Sequence, residues 1–226
     1  MSENNEKISN QAKEVKEETV ETAKKIKETV KNVNIKEETA KTKNFILAMF
    51  NDPIGEIKKI ANDDSNHFKT ALFVLIIWTI AVFIKSTYST IYYWGFERVY
   101  YNILGVLKEI LVPVIGVFVY VVIVFLLDKN KNKKMTSIIS TITAAQLPMV
   151  VSSIISLLTI FSRDFSKIAV TINGLCMVIA TVLSYFGFKY LLNEEDDSKF
   201  IKEFVVIQLI YYAVALVLTF LGIFIY

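Results

Sequence analysis

Residues 110–127 are 18 apolar residues without a break. A helix of that length covers most of the ~30 Å hydrocarbon core of a bilayer. In water it would have to be hidden on every side, so the run predicts a membrane-spanning helix. Four further stretches repeat the signal. Residues 71–84 carry no charge; Lys85 follows, and then the aromatic cluster Ile91, Tyr92, Tyr93 and Trp94. With Lys85 snorkelling towards that belt, the first span runs over 70–93. A functional intramembrane charge is the alternative reading of Lys85. The remaining spans fall at 106–127, 136–161, 168–192 and 204–226, the second entered across Lys108 and Glu109, with Pro113 and Gly116 placed to bend it. Glu97, Arg98, Tyr100 and Tyr101 read as a short amphipathic link between the first two. The expected fold class is all-α: an integral membrane bundle of five transmembrane helices with a charged, partly helical N-terminal tail.

The third span is the most polar of the five. Residues 135–161 carry no charge, yet hold hydroxyls on most turns, with Gln146, Leu147 and Pro148 near the middle. Small hydroxylated residues let neighbouring helices approach closely and bond across the contact. Proline frees a carbonyl that a neighbour must satisfy. This span therefore reads as the centre of the bundle.

Mean hydropathy of +0.46 hides a division. Up to Lys69 the chain holds 13 lysines and 13 acids; beyond it apolar runs dominate. Residues 1–44 form a charged tail with small or apolar residues at helical spacing (Ile8, Ala12, Val15, Thr19, Ala23, Ile26, Val30, Val33). So thin a stripe favours a solvated, partly formed helix over a weak coiled coil or a partner-binding helix. Residues 45–69 change character: Phe45, Ile46, Leu47, Met49 and Phe50 precede Asp52 and Pro53, and Ile54, Ile57 and Ile60 follow. This stretch reads as an amphipathic segment lying on the membrane, or as a short helix packed on the end of the bundle. The membrane domain is then 70–226.

No charged-then-apolar leader precedes residue 71, so the first span is expected to serve as its own insertion signal. Five spans put the ends of the bundle on opposite sides. Lys58, Lys59, Lys69, the four lysines of 129–134, Lys189, Lys199 and Lys202 fall on one side, against Lys85, Arg98, Lys108, Arg163 and Lys167 on the other. The positive-inside rule then sets the N-terminus in the cytoplasm and the C-terminus outside. The Lys-, Asn- and Ile-rich usage suits a bacterial cell membrane.

Several chemistries find no residues. No Asp or Glu lies within an apolar span core, which argues against a carboxylate relay. One histidine, His67, and one cysteine, Cys176, exclude a two-histidine metal motif and an intrachain disulfide. His67 reads as an interfacial side chain and Cys176 as a small buried hydrophobe. There is neither a phosphate-binding loop nor a nucleophile elbow. No catalytic residue, metal ligand or cofactor is expected, and a net charge of +3 is too small to point to nucleic acid. The polar residues left inside the spans are Gln146, Asn173 and Gln208, with Pro148 beside the first. They serve either as glue between helices or as the lining of a site for a lipid headgroup or small solute.

Three features together resemble the bacterial branch of the Ypt/Rab-interacting-protein (Yip) membrane-domain family. Asn51, Asp52 and Pro53 close an apolar-aromatic segment just before the first span; five spans run from an inside N-terminus to an outside C-terminus; and the third span carries Ala144, Ala145, Gln146, Leu147 and Pro148 after a basic loop. The resemblance covers 45–226 and implies a five-helix bundle without catalysis. Family members in eukaryotes bind Rab-type GTPases, but no binding residue transfers. The expected function is a non-enzymatic membrane scaffold or adaptor, with the lipid bilayer as its setting and the tail as contact for a cytoplasmic protein. The alternative is a small-solute or lipid transporter lined by the third and fourth spans.

Overall fold

The computed structural model describes residues 2–31, 34–63, 67–128, 133–162 and 164–220, without the side chains of 2–12, 14, 93, 94 and 97–102. Val33, Lys129, Lys131, Arg163 and residues 221–226 of the expected fifth span lie outside these, as do the side chains of Ile8, Ala12, Tyr93, Trp94, Glu97, Arg98, Tyr100 and Tyr101. The described residues form helices and no strand: α1 (Ser2–Lys31), α2 (Ile35–Asn51), α3 (Pro53–Asn62), α4 (Phe68–Trp94), α5 (Phe96–Leu127), α6 (Met135–Ala145), α7 (Leu147–Ser156) with a 3-10 turn (Leu157–Ile160), α8 (Phe165–Leu192) and α9 (Asp197–Phe220).

Four helices are long and apolar enough to cross a membrane alone, and there are five such segments if α6 and α7, bent by 48° at their break, count as one. The bent pair joins the two ends of the bundle. Lys133, just before α6, donates from Nζ to the Ala61 carbonyl (2.8 Å) near the start of α4, whereas the 3-10 turn packs on α4 and on α8 beyond the bend. The chain is thus a multi-pass, all-α membrane protein. The end that carries α1–α3 is here the tail end, and the other the far end.

Every one of the 11 residues of α6 is buried, and α1, α3, α4, α5 and α8 all pack on it. Its Thr, Ser and Ala side chains make that crowding sterically feasible. Two of the hydroxyls in α6 do not bond across the contacts. Ser140 and Thr141 donate to the carbonyls four residues back, at 2.8 and 2.9 Å. Such back-bonding satisfies a buried hydroxyl without a partner helix. Ser137 reaches out, towards the Ile60 and Ala61 carbonyls that end α3.

Of the two readings of 45–69, the structure shows the helix packed on the bundle. The stretch forms the end of α2 and all of α3, and its apolar face docks into the bundle. Asp52 caps α3, its Oδ1 accepting from Gly55 N at 2.9 Å, and Pro53 opens the helix where its missing N–H has no intrahelical bond to make. Ile57, Ile60 and Ala61 are fully buried. Phe45, Met49, Ile57 and Ile60 share one cluster with Val74, Ala144, Ala145, Leu147, Val150 and Leu183. Gly187 admits α3: a Cβ there would stand 3.2 Å from the Thr141 methyl and 3.7 Å from Ile57. Leu47, Phe50 and Ile54 remain exposed.

The tail is a docked helix rather than a solvated one. Val15 and Ile26 pack against the main core, Thr22 is buried, and Glu18 accepts from the first backbone N–H of α6, Met135 N, at 3.4 Å. A carboxylate at a helix N-terminus meets unsatisfied N–H groups and the positive end of the dipole.

The expected link at 97–101 is absent as well. After Gly95, at φ +76, the chain enters α5 at once, and the helix continues unbroken through Pro113. Lys108 and Glu109 therefore lie within a 32-residue helix. Gly116 leaves room for Tyr211 of α9, whose hydroxyl would stand 3.2 Å from an added Cβ. Tyr120 and Tyr211 stack at 3.9 Å, pinning α9 to α5. At the tail end Phe200 is fully buried against Tyr185. Helix α9 starts seven residues before the expected 204, because Asp197 and Lys199 pair with Lys189 and Glu194 at that corner.

Candidate functional site

Pro148 occupies the second position of a new helix, and from there hydroxyls recur at Ser152, Ser153, Ser156 and Thr159. Steps of three and four place them on one side of α7 and its 3-10 extension. Two of them stitch α7 to its neighbours. Trp78 Nε1 of α4 donates to Ser153 Oγ at 2.9 Å, and Ser152 Oγ donates to Asn173 Oδ1 of α8 at 3.0 Å. Beyond these bonds α4 and α8 part, and a cleft of about 450 Å³ opens towards the far end. Lys85, Tyr88 and Ser89 of α4 form one wall; Ser166, Ala169, Val170 and Asn173 of α8 form another. Tyr88 and Tyr92 stack at 6.0 Å along the α4 side.

The cleft's polar groups fall into two sets. Ser153 donates to the Met149 carbonyl, Ser156 to Ser153, and Thr159 to Ser156, which leaves oxygen lone pairs as acceptors. Donors stand opposite: the Lys85 ammonium, and the Asn173 Nδ2 left over once its Oδ1 is taken. No carboxylate lines the cleft among the described residues. The first backbone N–H groups of α8 have no side-chain cap.

The residues singled out from sequence separate in space. Gln146 Nε2 donates to Ser184 Oγ of α8 at 3.1 Å, at the bend. Asn173 lies in the cleft. Gln208 Oε1 accepts from the Tyr120 hydroxyl at 2.9 Å, on the α5–α9 contact. Pro148 is half-buried and opens α7. All four thus act as bonds or joints between helices, and of them only Asn173 also lines the cleft. Lys85, read as snorkelling to the belt, lines the cleft together with Tyr92 of that belt. Tyr88, Ser89 and Ser166 went unremarked, although the hydroxyl spacing at 152–159 was visible.

A second opening of about 410 Å³ lies at the tail end between α5, α8 and α9. Two of its charges, Glu194 and Lys199, pair with each other. That hydrogen bond holds the Glu194 carboxyl below the ordinary carboxylate range, and burial opposes it. His67 stands at the start of α4, 3.8 Å from Asp63 and beside the Phe45 ring. Cys176 is buried on α8. Among the described residues no three His, Cys, Asp or Glu side chains gather where a metal could sit.

No protein-family model, characterised protein or solved structure matches the chain. The Yip resemblance stands on the residues quoted for it alone.

Proposed function

We propose that the chain is a non-enzymatic multi-pass membrane protein that works as a scaffold or adaptor, with the bundle as anchor and α1 as the cytoplasmic contact. The observation that carries this reading is the docking of α1. It touches the bundle through a narrow stripe, Val15, Thr22 and Ile26, with Glu18 on the end of α6, while its charged faces stay exposed. Contact through so few side chains is readily exchanged for contact with another protein. Helix α1 also sits beside Lys133 and Lys134, so the tail and the basic loop share one end of the bundle, which the positive-inside rule sets in the cytoplasm.

The transport alternative gains less support. Gln146, Asn173 and Gln208 are each engaged in a separate interhelical bond. Leu147, Val150 and Leu183 form a buried apolar layer on the tail side of the cleft. A blind cleft suits binding better than passage.

The reading is tested by photo-crosslinking in cells from exposed tail positions such as Lys13 and Lys24. An adaptor gives a discrete adduct with one cytoplasmic protein, competed by the peptide 1–44. Adducts confined to the bundle itself would sink the reading. Single-cysteine labelling in a Cys176→Ser background, with probes at Lys13, Asn132, Ser162 and Asn193, tests the orientation: only Ser162 should react from outside.

A further inference from the structure

We propose that the far-end cleft is a binding site for a phosphate group attached to a polyol, the chemistry of a glycerophosphate headgroup. The argument is an inventory of donors and acceptors. An anion needs donors and positive potential, and the walls from α4 and α8 supply both. Lys85 lines the cleft and has no ion pair among the described residues. Asn173 presents Nδ2 because Ser152 occupies Oδ1. Ser166 lies in the first turn of α8, whose leading N–H groups lack a side-chain cap; a 28-residue helix directs its positive end there. No described carboxylate lines the cleft, and Asp164, which precedes α8, is exposed outside it.

The other wall has the opposite character. Ser153, Ser156 and Thr159 have given their protons to backbone carbonyls, so they offer lone pairs. Lone pairs do nothing for a bare phosphate, but they accept hydrogen bonds from ligand hydroxyls. A group carrying negative charge at one end and hydroxyls at the other satisfies both walls. A phosphocholine headgroup offers Lys85 a phosphate too, but it carries no net negative charge and no hydroxyl, so the acceptor wall goes unsatisfied. About 450 Å³ is ample for glycerophosphate. The ligand is either a lipid headgroup entering between α4 and α8 or free glycerol phosphate from solution; the two share this chemistry.

The test uses the full chain in nanodiscs. Native mass spectrometry measures retention of phosphatidylglycerol against phosphatidylcholine, and calorimetry measures sn-glycerol 3-phosphate. Wild type should enrich phosphatidylglycerol. Lys85→Gln should reduce that enrichment by about tenfold or more, the worth of one hydrogen bond to a charged group, and Lys85→Arg should restore it. Asn173→Asp keeps an acceptor for Ser152 but replaces the donor by a negative oxygen, and should abolish binding while the protein stays folded. Lys108→Gln removes a cation in the same half of the bundle outside the cleft and should change nothing. If only free glycerol phosphate binds in a Lys85-dependent way, the site stands and its ligand is soluble. If Lys108→Gln weakens lipid retention as much as Lys85→Gln, or neither probe depends on Lys85, the proposal is overturned.

Discussion

The bond between Gln146 and Ser184 offers a clean measurement of what the polar residues inside the bundle do. Gln146 Nε2 lies 3.1 Å from Ser184 Oγ, which is 2% exposed, so the pair is shielded from competing water. Gln146→Leu removes the donor and roughly conserves volume, so no cavity term enters. The Gln146 carbonyl continues to accept from Met149 N (2.9 Å), because that bond is backbone to backbone. The joint itself therefore survives, and the loss is that of one interhelical hydrogen bond, about 0.6 kcal/mol and at most about 2. Ser184→Ala removes the acceptor and leaves a half-buried amide that finds other partners, so its cost is no larger. The double mutant should lose less than the sum of the singles, with a coupling energy of about 0.6–2 kcal/mol. The assay is reversible unfolding in mixed micelles, followed through Trp78 fluorescence. Additivity within about 0.3 kcal/mol would show that the bond contributes nothing. A Gln146→Leu cost beyond about 4 kcal/mol would refute the reasoning differently, since one hydrogen bond does not carry so much.

Three further outcomes follow from the same structure. Gly187→Ala should cost about 1 kcal/mol, since the Thr141 methyl 3.2 Å away has to give slightly, whereas Gly187→Leu should overpack by about 1–3 kcal/mol or more and expel α3; faster proteolysis within α3 reads the difference, and equal effects from both would remove the close-approach argument. Val15→Asp with Ile26→Asp should undock α1, each half-buried contact being worth about 1 kcal/mol, and hydrogen exchange at Met135 and Thr136 should speed up while α5 and α8 keep their protection. The Glu194–Lys199 pair stabilises the turn between α8 and α9 fully above the ordinary carboxylate range, and this contribution disappears as pH falls through the lowered value of Glu194; Glu194→Gln should flatten the acid limb of the stability profile, and an unchanged limb would assign it to other carboxylates.

What was legible in the sequence is what length and polarity dictate. The span expected at 70–93 is α4 within a few residues, and that at 168–192 is the greater part of α8. The boundary errors have a common cause. A charge marks a helix end only if water is there, and Lys108 and Glu109 belong to a helix that extends well past the apolar run. The apolar pattern of Ile57 and Ile60 shows that one face of α3 avoids water. It cannot say whether lipid or protein covers that face, because both are apolar. Nor does a hydroxyl announce its partner: Ser140 turns back to its own helix while Ser152 crosses to Asn173, and the difference lies in which neighbour stands within reach. Lys85 needed the third dimension too, since its wall partners are some 70 to 90 residues away along the chain.

The break in the third crossing and the docking of α3 are one architectural decision. Ten residues of helix measure about 15 Å, half the hydrocarbon thickness. Over that length α6 is surrounded, with α3 on one side, and it is there that the small side chains gather. At Ala145, where α3 reaches its deep end beside Ile57 and Gly187, the support stops. The chain turns by 48° at Gln146, Pro148 starts the new direction at a position that needs no N–H, and α7 packs along α8 and α4. The turn closes the bundle around Leu147 and Val150 at mid-depth and leaves it open at the far end, where α7 shows its hydroxyls to the cleft. The wedge at the tail end thus sets the geometry of the site at the other, with the bent crossing as the element between them.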